Sequence, residues 1–260
     1  MDALKFTLSG KTAFFKKPDV NTFYYFSYGN IHKIALLGIL GAVCGLTGYN
    51  SQSLDKNQVY PEFYEKLKDA NIGIVPRNDK GYISKKIQTF NNSVGYASKE
   101  LGGNLIIKEQ WLENPKWDIY ILVDENVPKD LKERLIKSKF KYIPYLGKND
   151  HMANIYDVEV IEDIQRLDSI DEIHSLFIKD LFSVLEEDND DYEDDLFDNE
   201  DEDIFQEKIT PFKYEEMLPI SLEKKTNKYN LETFLYTNSK LSLLKECKIY
   251  KCHYKNIFFF

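Results

Sequence analysis

Two clusters of cations, amides and aromatic rings stand out as residues able to do chemistry. The first runs from Lys11, Lys16 and Lys17 through Phe23-Tyr24-Tyr25-Phe26-Ser27-Tyr28 to Gly29-Asn30-Ile31-His32-Lys33. Lysines neutralise phosphates, and tyrosine faces stack on unpaired bases at about 1–3 kcal/mol each. Lys11, Lys16, Lys17, Lys33, Tyr24, Tyr25, Tyr28 and Asn30 are therefore the first candidates for contact with a nucleic acid, with His32 as a further contact or a helix cap. The competing reading is a solvated loop whose aromatics fill core, and it is preferred for Phe23 and Phe26. The second cluster is Arg77, Lys80, Lys85, Lys86, Asn91, Asn92, Tyr96 and Lys99. It reads either as a basic hairpin that grips RNA or as an edge strand kept soluble by lysine.

These groups need elements to position them. Leu4 to Ser9 alternates with period two and reads as a strand. Ile34 to Gly48 is an apolar helix whose glycines 38, 41, 45 and 48 share one smooth face, open to close approach by another backbone. The helix start suits an anionic ligand. With about 15 apolar residues it falls short of the roughly 20 that span a bilayer, so a buried helix is expected. Pro61 to Ala70 is a short helix or a loop. Residues 72–108 read as an enlarged hairpin, followed by buried strand text at Ile119–Val123. A helix runs from Pro128 to about Lys139, and Tyr156–Val160 is a further strand. The order strand, helix, strand, strand, helix, strand is that of the ferredoxin-like, RRM-type α+β fold. Ser169-Ile170-Asp171-Glu172 is a capping box, which predicts a helix carrying Ile170, Ile173, Phe177 and Leu181 on one face. The remainder to Phe260 is a β-containing extension whose apolar end packs into a sheet or a partner.

Charge divides the chain. The formal net charge is −9, from 34 basic and 43 acidic residues. Residues 186–203 hold 13 of the acids and no base, which leaves 30 acids against 34 bases elsewhere. The body is mildly basic, and an acidic, solvated segment is inserted in it. Three scattered cysteines and no signal-peptide pattern suggest a reducing, cytoplasmic setting with no membrane partner. Cys247, Cys252 and His253 are poorly spaced for zinc, so no metal or other cofactor is expected.

Three stretches resemble the CRISPR-associated family-five proteins, and within them the type I-B subfamily. They are Leu8-Ser9-Gly10-Lys11-Thr12-Ala13-Phe14-Phe15-Lys16-Lys17-Pro18, Tyr28-Gly29-Asn30-Ile31-His32-Lys33 with its glycine-rich helix, and Pro144-Tyr145-Leu146-Gly147-Lys148-Asn149-Asp150. The resemblance implies a ferredoxin-like RAMP domain over residues 1–166 with a thumb hairpin at about 72–108, and a C-terminal extension over 167–260. It implies a subunit that caps the 5′ handle of crRNA in a Cascade complex. The backbone subunit and the PAM-reading large subunit are its partners, and target DNA near the PAM is a further one. It adds Tyr145 and Lys148 to the RNA-contact set, with Gly147 as a turn. No glycine follows Gly147, so the C-terminal glycine-rich loop of many RAMP proteins is missing. In the type I-C branch the family-five protein cuts precursor RNA with a Tyr/Lys/His set. His32 with Lys33, or His151 with Lys148, is the nearest match here, which makes a metal-independent endoribonuclease the minority alternative to a non-catalytic subunit.

Overall fold

The computed structural model describes residues 1–19, 24–54, 58–91, 93, 95–96, 99–185 and 210–260. Phe23, Asn92 and the acidic segment 186–203 lie outside them. Up to residue 161 the elements are β1 (Asp2–Ser9), β2 (Thr12–Ala13), α1 (Lys33–Cys44), α2 (Tyr49–Gln52), α3 (Glu62–Leu67), β3 (Ile72–Pro76), β4 (Lys85–Asn91), β5 (Ile106–Glu113), β6 (Lys116–Val123), α4 (Leu131–Ile136) and β7 (Asn154–Ile161).

β1, β3, β6 and β7 form a four-stranded antiparallel sheet in the order β3-β6-β1-β7. Taken with α1 after β1 and α4 after β6, this is the ferredoxin-like arrangement that the order of sequence elements predicts. Alternation along the strands sorts the two faces. Leu4, Phe6, Leu8, Trp117, Ile119 and Ile121 share a buried core with Leu36, Leu37 and Leu40 of α1 and Leu131 and Leu135 of α4. Burying each such side chain contributes about 1.5–3 kcal/mol.

The helix α1 stops at Cys44, short of Gly48, because Gly45 adopts φ 83° and returns its N–H to the Gly41 carbonyl. The glycines therefore divide. A Cβ on Gly41 would lie 2.6 Å from Phe63 Cβ, so a side chain of α3, rather than another backbone, occupies that notch. Gly38 and Gly48 face open space.

The hairpin is narrower than residues 72–108. Ile72–Pro76 is fully buried in the main sheet, where it pairs with β6. The projecting arms are β4 and β5, paired from Lys85–Leu112 to Asn91–Ile106.

C-terminal elements are β8 (Gln165–Arg166), β9 (Phe177–Ile178), β10 (Phe182–Val184), β11 (Lys213–Leu222), β12 (Tyr229–Thr237), β13 (Leu241–Leu243), β14 (Lys248–Cys252) and β15 (Lys255–Phe259). The helix predicted over 169–181 does not form. Phe177 and Ile178 instead pair with Leu235 and Phe234 of β12, Ser175 Oγ accepts from Phe258 N at 2.9 Å, and Leu176 N donates to Ile74 O at 2.8 Å. With these long-range bonds in place, Ile173, Leu176 and Phe177 are buried. Phe260 and Ile72 exchange both backbone hydrogen bonds, which closes the outer edge of β3. Leu218, Leu222 and Phe234 belong to the same core as α1.

Candidate nucleic-acid interface

An open groove of about 960 Å³ runs along α1 on its Gly38 side. Its walls include Ile34, Gly38 and Ile39 of α1, the 47–51 segment, Tyr142 to Lys148, and Phe14 to Lys16. The last two walls are joined by a hydrogen bond from Phe14 N to Leu146 O at 3.0 Å. Gly147, at φ 91°, makes that contact possible, since a Cβ there would run into the Phe14 carbonyl. Of the sequence candidates the groove gathers Lys16, His32, Tyr145 and Lys148. Tyr145 is exposed, whereas Lys148 is held at 3.1 Å from both oxygens of buried Glu109, which also accepts from Trp111 Nε1 at 2.8 Å. Lys148 is thus first the counter-ion of a buried carboxylate.

The aromatic loop lies against the hairpin. Tyr25 N donates to Lys108 O and Gln110 N to Tyr25 O, both at 2.9 Å, so the loop adds a short parallel strand to the edge of β5. Lys16 Nζ stands 3.8 Å over the Tyr25 ring and Lys108 Nζ 5.3 Å over Tyr24, with Tyr24 and Phe26 stacked beside them. The result is a surface of alternating cations and aromatic faces next to the groove. Phe26, expected in the core, is exposed; Tyr28, expected outside, is buried. Lys108, Glu109 and Trp111 escaped the sequence reading. Only their pairing with a loop more than 80 residues away brings them here.

Several candidates from the first cluster are absorbed by the fold. Asn30 is fully buried, donating to Gly81 O at 3.0 Å and accepting from Trp117 Nε1 at 2.8 Å. Tyr28 is 3 % exposed, and burial pushes its phenol up to about 12. His32 caps α1, its Nδ1 accepting from Ala35 N at 3.3 Å, and the rings of Phe15, Tyr28 and Tyr229 surround it. Burial lowers its pKa to about 3. The helix start is therefore filled by protein, and the anion site expected there is occupied by this neutral imidazole. Lys33 is buried too, its pKa lowered to about 8 by desolvation. Lys17 pairs at 3.3 Å with Glu216, a carboxylate that also accepts from Gly29 N and Tyr214 Oη.

The second cluster scatters. Lys85 and Asn91 are exposed at opposite ends of β4, and Lys86 pairs with Glu113 across the hairpin at 3.3 Å. Arg77 is not on the hairpin: it directly follows β3 and pairs with buried Asp118 at 3.0 Å. Lys11 is exposed in the β1–β2 turn, where its carbonyl accepts from Asn114 N. His151 is 1 % exposed, its Nδ1 2.6 Å from Thr12 Oγ1, and burial lowers its pKa. Neither His32 nor His151 presents an exposed imidazole. No described helix is long and apolar enough to cross a membrane.

The fold and groove define a ferredoxin-like domain with a projecting hairpin and a cation–aromatic surface at its base. No family model and no curated protein matches the chain. Among solved structures it is similar to a chain described as "CRISPR RNA-guided surveillance complex", at 9% identity over 93% of this chain and 91% of that one, with a TM-score of 0.51. It is also similar to one described as "Crystal structure of a CRISPR protein from Archaeoglobus fulgidus", at 11% identity over 99% and 98% of the two chains, with a TM-score of 0.49. At 9% identity the likeness to the surveillance-complex chain is one of fold.

Proposed function

We propose that the chain is a non-catalytic RNA-binding subunit of a type I-B CRISPR surveillance complex that caps the 5′ handle of crRNA beside the backbone and large subunits. The observation that carries the reading is the surface where Lys16 and Lys108 cover Tyr25 and Tyr24 at the groove mouth. A phosphate there draws each ammonium off its ring, which frees the ring face for an unpaired base. Tyr24 and Tyr25 are half-buried, and Tyr145, on another wall of the groove, adds an exposed ring. The resemblance of the N-terminal motif and of Pro144–Asp150 supports the family reading, and the fold shared with a surveillance-complex chain agrees with it. Burial of His32 and His151 supports the non-catalytic form, because an RNA base catalyst must reach the 2′-hydroxyl.

The test is incubation with precursor repeat RNA in EDTA. RNA is expected to be bound and left intact. Lys16→Glu with Lys108→Glu should weaken binding at least about tenfold and flatten the salt dependence by about 1.4 in log–log slope, for two lost single-strand phosphate contacts. Unchanged affinity in that variant would sink the groove assignment. Specific cleavage abolished by His32→Ala would replace the proposal with the endoribonuclease.

A further inference from the structure

The second face of the main sheet is divided. Its upper rows, Leu122–Ala3–Ile161 and Gly73–Tyr120, lie under the β14–β15 hairpin, where Cys252, Ile257 and Phe259 bury Ala3, Val75, Tyr120 and Leu122. The cover thins beyond them, although Val75, Asp118 and Thr7 of the next row are still buried. Two further rows continue the same face: Val75–Asp118–Thr7–Tyr156, then Lys116–Ser9–Asn154 with Arg77 at its β3 end. Ser9 and Lys116 are half-buried, and Arg77, Asn154 and Tyr156 are exposed. Tyr254, in the β14–β15 turn next to Lys255, is 75 % exposed.

The charge on this part of the face is positive. Asp118 is only 2 % exposed and is satisfied by Arg77 at 3.0 Å, Lys255 at 3.5 Å and Thr7 Oγ1 at 3.2 Å. Glu159, in the row beyond, pairs with Lys5 at 3.2 Å. Lys5, Arg77, Lys116 and Lys255 thus face two carboxylates, both already paired. The cations again attend aromatic rings: Lys116 Nζ lies 5.8 Å from the Tyr156 ring centre and Lys255 Nζ 5.6 Å from that of Tyr254. None of the exposed residues in the two rows is aliphatic, which a protein-docking face would call for. Two exposed tyrosines beside four cations that outnumber their carboxylate partners by two suit unpaired bases stacked on the rings, with phosphates at the lysines.

We propose that the exposed rim of this sheet face, from the β7 edge to the β14–β15 turn, is a second binding surface, specific for single-stranded nucleic acid, with Tyr156 and Tyr254 as stacking platforms and Lys116 and Lys255 as phosphate contacts. It is separate from the α1 groove, which lies on the helix side of the same sheet. A strand held there has no need of handle sequence, because stacking and phosphate contacts read no base edges.

The experiment is fluorescence anisotropy with the full chain and a labelled oligouridine of about 20 nucleotides, repeated with oligothymidine, since stacking serves either sugar. Tyr156→Ala with Tyr254→Ala should raise Kd at least about tenfold for both probes, as expected for two lost base–tyrosine stacks. Replacing both by Trp should preserve affinity, and Lys116→Ala should lower the salt slope by about 0.7. Arg77 is left intact so that Asp118 keeps its partner. Unchanged Kd in the double alanine variant, with an unchanged melting temperature, overturns the proposal. Handle binding lost through Lys16→Glu and Lys108→Glu beside oligouridine binding that ignores the tyrosines would overturn this surface alone and leave the groove reading standing.

Discussion

Acidification below about pH 6.5 is expected to drain stability from the fold through His32. Burial holds its imidazole neutral, with the pKa lowered to about 3. Its unfolded counterpart takes up a proton near 6.5, so between these values the unfolded chain binds more protons than the native one. The stabilisation is fully present above pH 6.5 and falls as pH drops, by about 1.4 kcal/mol per unit until the native group titrates near 3. Asn is a good N-cap, so His32→Asn keeps an acceptor for the Ala35 amide while removing the titration. Urea melts from pH 7 to 4 should show the variant losing about 1.4 kcal/mol less per unit than the parent chain. His151 and His174, whose pKa values burial also lowers, keep a residual slope in both proteins, which the difference cancels. Equal slopes would mean that His32 is hydrated.

Gly147→Ala should cost more than any other glycine replacement along the groove. The left-handed φ of 91° strains any L side chain by about 1–3 kcal/mol. The added Cβ also meets the Phe14 carbonyl, with the carbonyl carbon at 2.6 Å. Neither strand of that contact can retreat cheaply, because Phe14 N is bonded to Leu146 O and Leu146 N to His151 O. A loss of about 3–5 kcal/mol is expected, equivalent to a fall in Tm of about 10 °C or to failure to fold. Gly38→Ala is the control. It lies in mid-helix with nothing within 4 Å of a new Cβ, and should gain about 1 kcal/mol from helix propensity. Thermal melts of the two variants separate a glycine needed for close approach from one that only leaves the groove wide.

The frame of the domain was legible because local pattern and tertiary role agree in it. The alternation of Leu4–Ser9 and the apolar run Ile119–Val123 follow directly from their places at the centre of the sheet. Misreadings arose where distant residues decide. Ser169–Glu172 carries a helix-start signal, yet β12 and β15 offer Phe177 and Ser175 partners that no local window contains. Ile72–Pro76 reads as part of a hairpin until its pairing with β6 is known. The site divides along the same line. Lys16 and Tyr145 are exposed as their types suggest. Asn30, His32 and Lys33 have equally polar side chains, but Trp117, Tyr229 and Phe260 enclose them from far along the chain. Arg77 lies close in sequence to the hairpin lysines, whereas strand geometry carries it to Asp118 on the second face of the main sheet.

The proposed function rests on selective capture of a crRNA 5′ handle by the groove surface. Its most direct test is the affinity of the full chain for a repeat-derived handle RNA against a scrambled RNA of equal length, at about 0.15 M salt. Tighter binding of the handle by at least about tenfold is expected, with the preference lost in the Lys16→Glu, Lys108→Glu variant. Equal affinity for the two RNAs, or a preference that survives both charge reversals, would contradict it.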